Sequence, residues 1–330
     1  MVFEDGFGRI HDDLRISVTD RCNLRCNYCM PEEPQWFARS EMLSYEEILR
    51  IVRIAAKHGA RKYRITGGEP LVRRDLSVLI RMLTELPGVE DISLTTNALL
   101  LSTMAGELAR AGLRRINVSL DTLSAERFRK MTRRDLLDRT LEGLAAAAAA
   151  GFEPIKVNTV LLRGINDDEV EVLVTHAREH GWELRFIEVM PLENGQTWDP
   201  GRVVRGAEVR SRIETLYPLL PDPAADPHAP AARYLFRDGK GAVGFINSVT
   251  EPFCGTCSRL RLTADGHFRV CLYDENEVDL KTPMRTGAHD EELERIMVQA
   301  LQSKGRGGAL DILERRQSPT LTRTMHQIGG

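Results

Sequence analysis

With 330 residues and 37.1 kDa, the chain can form one large α/β domain or two ordinary ones. Its net charge of −3 gives no general reason to expect a nucleic-acid or anionic-membrane partner. No apolar run approaches the roughly 18 residues of a membrane span, and the start Met1-Val2-Phe3-Glu4-Asp5 lacks a signal-peptide pattern, so a soluble cytoplasmic protein is expected.

The first two-thirds alternates strand and helix. A strand over Arg15–Thr19 leads into a cysteine-bearing loop. Ser44-x-x-Glu47 then predicts a capping box before a helix, with apolar Ile48, Ile51, Val52 and Ala55 at helical spacing and Gly59 as its stop. Lys62–Thr66 reads as a strand ending at Gly67-Gly68. Asp75 is expected to cap the next helix, which carries Leu76, Leu79, Ile80 and Leu83. Strand Asp91–Thr95, helix Ser102–Ala111, strand Arg115–Leu120 and helix Asp138–Ala150 follow. Strand Ile155–Leu161, helix Asp167–His180, strand Glu183–Val189 and helix Ala207–Leu216 complete six β-then-α units. Short connections between such units argue for a parallel sheet, either an open, incomplete barrel or a doubly wound sheet. Polar residues gather at the carboxyl ends of the strands, where both architectures place ligands.

Five prolines from Pro218 to Pro230 read as an extended surface connection. This divides the chain into a core (1–217), a connection (218–232) and a C-terminal region (233–330). In that region the pattern changes to short strands: Tyr234–Phe236, Val243–Val249, Arg259–Thr263 and His267–Leu272. Ala264-Asp265-Gly266 suits a hairpin turn, and a last helix is expected over Glu291–Ser303.

The six cysteines fall in two groups, with none from residue 30 to 253. Such grouping points to metal or redox chemistry rather than disulfides. Cys22-x3-Cys26-x2-Cys29 offers three thiolates on one loop. A structural zinc site normally wants four closed ligands, whereas three cysteines on a [4Fe–4S] cluster leave one iron open; a zinc knuckle or unmetallated thiols are the alternatives. Cys254-x2-Cys257-x13-Cys271 is more ambiguous, because His267 could complete a Cys3His zinc site. Arg259 and Arg261, two apart on a strand, share one face. Their forked guanidiniums favour phosphate or another anion, unless they are a solvated basic edge. Arg15, Lys62, Arg64 and Lys156 also lie on predicted parallel strands, where charge is unusual. No G-x4-G-K-[ST] occurs, so nucleotide binding would not use a phosphate loop.

The cysteine loop, with Tyr28 before its last cysteine, and Gly67-Gly68-Glu69-Pro70 resemble the motifs of radical S-adenosylmethionine (SAM) enzymes. Within that superfamily the chain resembles the GTP 3′,8-cyclase family of molybdenum cofactor biosynthesis. The likeness runs from Leu14 to Gly330 and includes Asp13–Cys22, Arg64–Leu71, Leu94–Asn97, Arg115–Asp121, Arg185–Pro191 and the terminal Ile328-Gly329-Gly330. Ala98 departs from it, standing where relatives usually carry glycine, and a small loop shift is expected there.

The resemblance implies an incomplete (βα)6 barrel of the TIM type whose open side is closed by the C-terminal region. It implies two [4Fe–4S] clusters, on Cys22, Cys26 and Cys29 and on Cys254, Cys257 and Cys271, with SAM at Tyr28, Gly68, Ser119 and Met190. GTP is implied at Arg15, Arg64, Thr95, Lys156, Arg259 and Arg261, with Lys62 a weaker candidate for the triphosphate. Arg259, Arg261 and a Gly329-Gly330 tail threading into the site are the implied catalytic elements. The implied reaction, a lyase activity, removes the ribose 3′ hydrogen of GTP through a 5′-deoxyadenosyl radical and joins C3′ to guanine C8. An external electron donor and cyclic pyranopterin monophosphate synthase, the next enzyme of the pathway, are the implied partners, and a homodimer is allowed. A twin-cluster radical SAM enzyme acting on a peptide and a zinc-containing nucleic-acid-binding protein remain as rivals.

Overall fold

A computed structural model describes residues 2–192, 199–315 and 323–329. The predicted alternation is realised in six parallel strands: β1 (Asp13–Ser17), β2 (Lys62–Thr66), β3 (Asp91–Thr96), β4 (Arg115–Ser119), β5 (Ile155–Leu161) and β6 (Glu183–Glu188). Helices α1 (Tyr45–Lys57), α2 (Leu76–Thr84), α3 (Leu101–Arg110), α4 (Ala125–Thr132), α5 (Leu137–Ala149) and α6 (Val170–Glu179) connect them, and their apolar faces join the strands in one core. Helix α7 (Gly206–Leu216) follows.

The C-terminal third continues the same sheet. It supplies β7 (Leu219–Pro221), β8 (Ala232–Phe236), β9 (Ala242–Ile246), β10 (Arg259–Leu262), β11 (His267–Arg269) and β12 (Glu277–Asp279). The strand order is β12-β11-β10-β1-β2-β3-β4-β5-β6-β9-β8-β7. Because β10 runs parallel to β1 and β9 parallel to β6, a parallel strand is added at each edge of the six. β9 and β10 do not pair with each other, so the barrel stays open. Among the described residues four helices follow: α8 (Lys281–Arg285), α9 (Asp290–Gln302), α10 (Gly308–Arg315) and α11 (Met325–Ile328). No described helix is long and apolar enough to cross a membrane.

The Ser44–Glu47 capping box forms as expected. Ser44 Oγ accepts from the Glu47 amide at 3.1 Å, and Glu47 Oε2 accepts from the Ser44 amide at 2.7 Å. Asp75 does not cap α2. Its backbone is left-handed (φ 57°) and its side chain makes no cap bond, so the short polar residue serves the turn instead. The helix expected over Asp167–His180 opens with a 3-10 turn at Asp167–Glu169 before α6 begins. Part of the proline segment is strand: β7 pairs antiparallel with β8 at the sheet edge, where Pro221 needs no ladder donor.

Ala98 lies in a left-handed turn (φ 66°) and is fully buried after β3. Helix α5 approaches so closely that a Cβ on Gly143 would sit 2.1 Å from the Ala98 carbonyl oxygen. A left-handed conformation costs a residue with a Cβ about 1–2 kcal/mol, while glycine's extra freedom in the unfolded chain costs about 0.5–1 kcal/mol. Ala98→Gly should therefore raise stability by about 0.5–1 kcal/mol. A urea midpoint that moves upward with an unchanged slope is the expected result; a midpoint that falls would mean the turn is not strained.

Candidate active site

The first cysteine loop leaves the carboxyl end of β1 and is pinned from several sides. The Arg25 and Asn27 amides donate to the Thr132 and Met131 carbonyls at 3.0 and 2.9 Å, tying the loop to the end of α4. The amides of Cys29 and Met30 both donate to the Cys26 carbonyl, and the Leu24 amide donates to Cys22 Sγ at 3.4 Å. Gly67 and Gly68 allow the β2 loop to lie directly on this backbone. A Cβ at Gly67 would meet the Thr19 carbonyl oxygen at 2.4 Å, and one at Gly68 would meet those of Asp20 and Arg21 at 2.4 Å. In the space thus left free, the Gly68 and Glu69 amides donate to the Thr19 and Arg21 carbonyls.

Two carboxyl groups sit behind this loop. Glu69 accepts from the Asn97 amide at 2.7 Å, Thr96 Oγ1 at 2.6 Å and the Leu71 amide at 3.0 Å, yet burial still pushes its carboxyl up to about 7. Tyr28 Oη donates to Asp121 Oδ2 at 2.6 Å and the Val160 amide to Asp121 Oδ1 at 2.9 Å; burial raises Asp121 to about 6. Burial also pushes the Cys22 and Cys29 thiols up, to about 11 and about 12, and Cys26 well above the ordinary thiol value. Thiols so disfavoured as free thiolates become anionic only when a metal takes them.

The second group stands at the other end of the barrel. Cys254 and Cys257 precede the amino end of β10, and Cys271 follows β11, which runs antiparallel to it. Arg9 stitches this region together, donating to the carbonyls of Cys254 at 2.9 Å, Arg306 at 2.7 Å and Gly305 at 2.7 Å. Gly307 and Gly308 bring α10 against it, since a Cβ on Gly307 would lie 2.7 Å from Cys254 Sγ. Although burial raises the Cys257 thiol, Arg259 and Lys304 outweigh it and hold the group at about 7. His267 does not join these cysteines: its Nδ1 lies 3.0 Å from Asp265 and 3.2 Å from Arg323.

The donor sets fit iron–sulfur clusters better than single ions. Tetrahedral zinc, at about 2.3 Å per thiolate, draws its sulfurs to within about 3.8 Å of each other. Among the described residues, only His176, Glu179 and His180 bring three ligand atoms within 4.8 Å, so neither cysteine trio is that tight. A cubane presents its irons at separate corners, suits wider-spread thiolates, and with three of them keeps one iron open.

Between the two cysteine groups lies a cavity of about 740 Å³. It is lined by all six cysteines and by Tyr28, Gly68, Thr95, Ser119 and Met190. Arg15, Arg64, Arg259 and Arg261 line it too. Strand register puts Arg261, Arg15 and Arg64 side by side on β10, β1 and β2. Burial and the neighbouring arginines press Arg15 well below the usual guanidinium value, and its buried Nε has no hydrogen-bond partner. A row of like charges is unfavourable until an anion enters it. Lys156 lies outside this lining, but burial and then Arg185 lower its ammonium to about 8. Lys62 also lies outside, between Asp12 at 3.2 Å and Asp226 at 3.1 Å. Gly329 lies against the carboxyl ends of β1 and β2 with φ 72°; a Cβ there would meet Thr66 Cγ2 at 2.9 Å and Ser17 Cβ at 3.2 Å, and its carbonyl accepts from Arg261 Nη1. Gly330 lies outside the described residues.

Sequence reasoning missed Arg185, Arg9 and Lys304 in this lining. Arg185 had a signal, a charge within a parallel strand; Arg9 and Lys304 had none, being brought in from the two ends of the chain.

The fold is that of a radical SAM enzyme. Over 92% of this chain and 68% of the other, the structure of SuiB from Streptococcus suis bound to S-adenosylmethionine superposes with a TM-score of 0.63 at 14% identity. That of anSMEcpe with bound AdoMet gives 0.59 at 13% identity over 89% of this chain and 78% of the other. The Radical SAM superfamily model matches residues 16–177, and the Molybdenum Cofactor Synthesis C model matches residues 182–309. Among curated proteins, the GTP 3′,8-cyclase of Rhodopirellula baltica is 46% identical over 99% of this chain and 91% of its own length. That of Streptomyces coelicolor is 45% identical over 100% and 96%. The chain belongs to the GTP 3′,8-cyclase family, a group of radical SAM lyases in molybdenum cofactor biosynthesis that use SAM and two [4Fe–4S] clusters.

The close backbone approach makes Gly68→Ala a sharp test of the loop packing. Its Cβ would displace the Asp20–Arg21 carbonyls and with them the first cysteine loop, so reconstituted iron should fall from two clusters' worth to about one. Iron and sulfide analysis measures this; an undiminished cluster content would show that the loop can move aside.

Proposed function

We propose that this chain converts GTP to 3′,8-cyclo-7,8-dihydro-GTP at the cavity between its two cysteine groups. The observation that carries this reading is the in-register row Arg261–Arg15–Arg64, an anion site placed between two cluster-type thiol sets. Cys22, Cys26 and Cys29 would hold one [4Fe–4S] cluster, and Cys254, Cys257 and Cys271 the other. Held there with SAM and fed by an external electron donor, the first cluster would supply the one-electron chemistry needed to remove the 3′ hydrogen of GTP.

The residues around it bind and orient. Tyr28, Gly68, Ser119 and Met190 contact SAM, with Tyr28 fixed by its bond to Asp121. Arg15, Arg64, Thr95 and Lys156 take GTP, its triphosphate neutralising charges that otherwise face one another. Arg259 and Arg261 serve both binding and catalysis, with Arg261 joining substrate to the Gly329-Gly330 tail. The tail also excludes water from the cavity at the carboxyl ends of β1 and β2, which lowers the local dielectric and protects a radical from side reactions. Residues 1–217 form the SAM-binding core and 233–330 its cover, joined through 218–232. The product passes to cyclic pyranopterin monophosphate synthase, and the protein acts in the cytoplasm.

Anaerobic turnover of cluster-reconstituted protein with SAM, dithionite and GTP deuterated at C3′ tests the reading. Deuterium is expected in the released 5′-deoxyadenosine. Deoxyadenosine without deuterium, from protein with both clusters intact, would sink the GTP assignment and favour a peptide substrate.

Lys156 gives a pH test. With its ammonium lowered to about 8 in the free site, it is largely neutral above that pH. A bound triphosphate favours the charged form and raises the value again, so on GTP binding Lys156 should take up a proton between about pH 8 and 10 and contribute none near pH 6. Calorimetry in buffers of different ionisation enthalpy reads this directly, and Lys156→Met should abolish the uptake. Buffer-independent heats at pH 9 would place Lys156 away from the phosphates.

A further inference from the structure

We infer that Arg323 is the positioning residue that delivers the chain's terminal glycines to the active site. The inference rests on the reading of the Gly-Gly tail given above. Arg323 does not line the cavity, whereas Met325 and His326 after it do. It sits at the base of the described tail, and its guanidinium is saturated. Nη1 and Nη2 donate to Asp265 Oδ1 and Oδ2 at 3.0 and 2.8 Å, a two-pronged pairing. Nε and Nη2 donate to Glu277 Oε1 at 2.8 and 2.5 Å, and Nη2 lies 3.2 Å from His267 Nδ1. The Phe37 ring covers it at 5.5 Å.

All three polar partners belong to one antiparallel unit. Asp265 forms the β10–β11 turn, His267 opens β11 and Glu277 opens β12. The same unit carries Arg261 on β10, in register with Arg269, which donates to Glu277 Oε2 at 2.6 Å. Arg261 in turn holds the Gly329 carbonyl. The tail is thus fastened to one sheet edge at its base, through Arg323 on Asp265 and Glu277, and near its tip, through Arg261 on Gly329.

Between the grips, Thr324 and Gln327 cap the single turn of α11, and the His326 ring packs edge-on against Trp36 at 5.5 Å. A helix of one turn does not hold itself in water. Fixing its base keeps the glycines at high effective concentration at the site.

The experiment compares reconstituted wild type with Arg323→Ala, Arg323→Lys and a protein lacking Gly329-Gly330. Arg323→Ala should lose on the order of tenfold or more in kcat, approaching the truncated protein. Its iron content should match wild type and its KM for GTP should stay within about threefold. Arg323→Lys, which keeps one prong, should recover part of the kcat. Carboxypeptidase should trim Arg323→Ala at least about tenfold faster than wild type, as intact mass would show. Wild-type kcat in Arg323→Ala, with the truncated protein inactive, would overturn the inference. So would equal trimming rates in the two proteins. Should the alanine variant fail to reconstitute, Glu277→Gln, which leaves Asp265 in place, is expected to show the same faster trimming in weaker form; wild-type trimming in that variant would count against the grip. Full activity of the truncated protein would instead sink the reading of the tail, and the trimming rates would still decide the grip itself.

Discussion

The pairing of β10 with β1 is the constraint on which the site depends. Because the two strands are parallel, Cys22, which follows β1, and Cys257, which precedes β10, lie at opposite ends of the same strand pair. Five residues at about 3.3 Å each separate the two ends by about 16–17 Å. An antiparallel hairpin would have put both cysteine groups at one end, with no chamber between them. The parallel arrangement leaves room for a nucleotide-sized ligand and lines the strands beside it with Arg261, Arg15 and Arg64.

Those arginines show why the barrel remains open. A closed eight-strand barrel fills its interior with packed side chains. Here β9 and β10 extend the parallel run at both edges without meeting, and the interior is a cavity into which cysteines and arginines project among apolar side chains. The hydrophobic core is carried by the outward faces of the strands against the helices, with Leu14, Ile16, Ile65 and Leu94 fully buried there. The alternating strand pattern thus puts stability on one face and charge on the other. The price is a row of guanidiniums whose repulsion is relieved by an anionic ligand, as expected where binding rather than stability shapes a site.

Local features of this architecture are readable in the sequence. The Lys62–Thr66 and Ile155–Leu161 strands, the Ser44 box and both cysteine groups depend on neighbours in sequence, and motif resemblance extended them to cofactors. What eluded reading depends on partners far along the chain. Nothing near Arg259 shows that its strand pairs with residues 13–16, and nothing near Arg9 shows that it braces Cys254. β7 is hidden because prolines usually signal a connection, yet an edge strand tolerates one. His267 has zinc-ligand spacing, but Arg323 and Asp265 claim its ring. The left-handed turn at Ala98 is invisible because alanine rarely adopts it.

The second cysteine group also explains why the two ends of the chain must meet. Arg9 near the amino terminus and Lys304 and Gly307 near the carboxyl terminus converge on the loop of Cys254 and Cys257. Asp5 holds Arg9 at 2.7 Å and the buried His11 at 2.9 Å, and the Lys304 Nζ reaches the Arg259 carbonyl at 3.2 Å. Arg259 reaches the Cys257 sulfur from two residues away, whereas Lys304 joins it only when the C-terminal region is packed against the sheet edge. A thiolate favoured by neighbouring cations in the folded chain suits the second site to take metal there. The first loop is more local: its cysteines lie seven residues apart at most, and most of its bracing comes from β2, α4 and the turn after β3, with His326 of the tail also bonding Cys29. The fold thus braces one cysteine group mainly from within the barrel and the other from segments far apart in sequence.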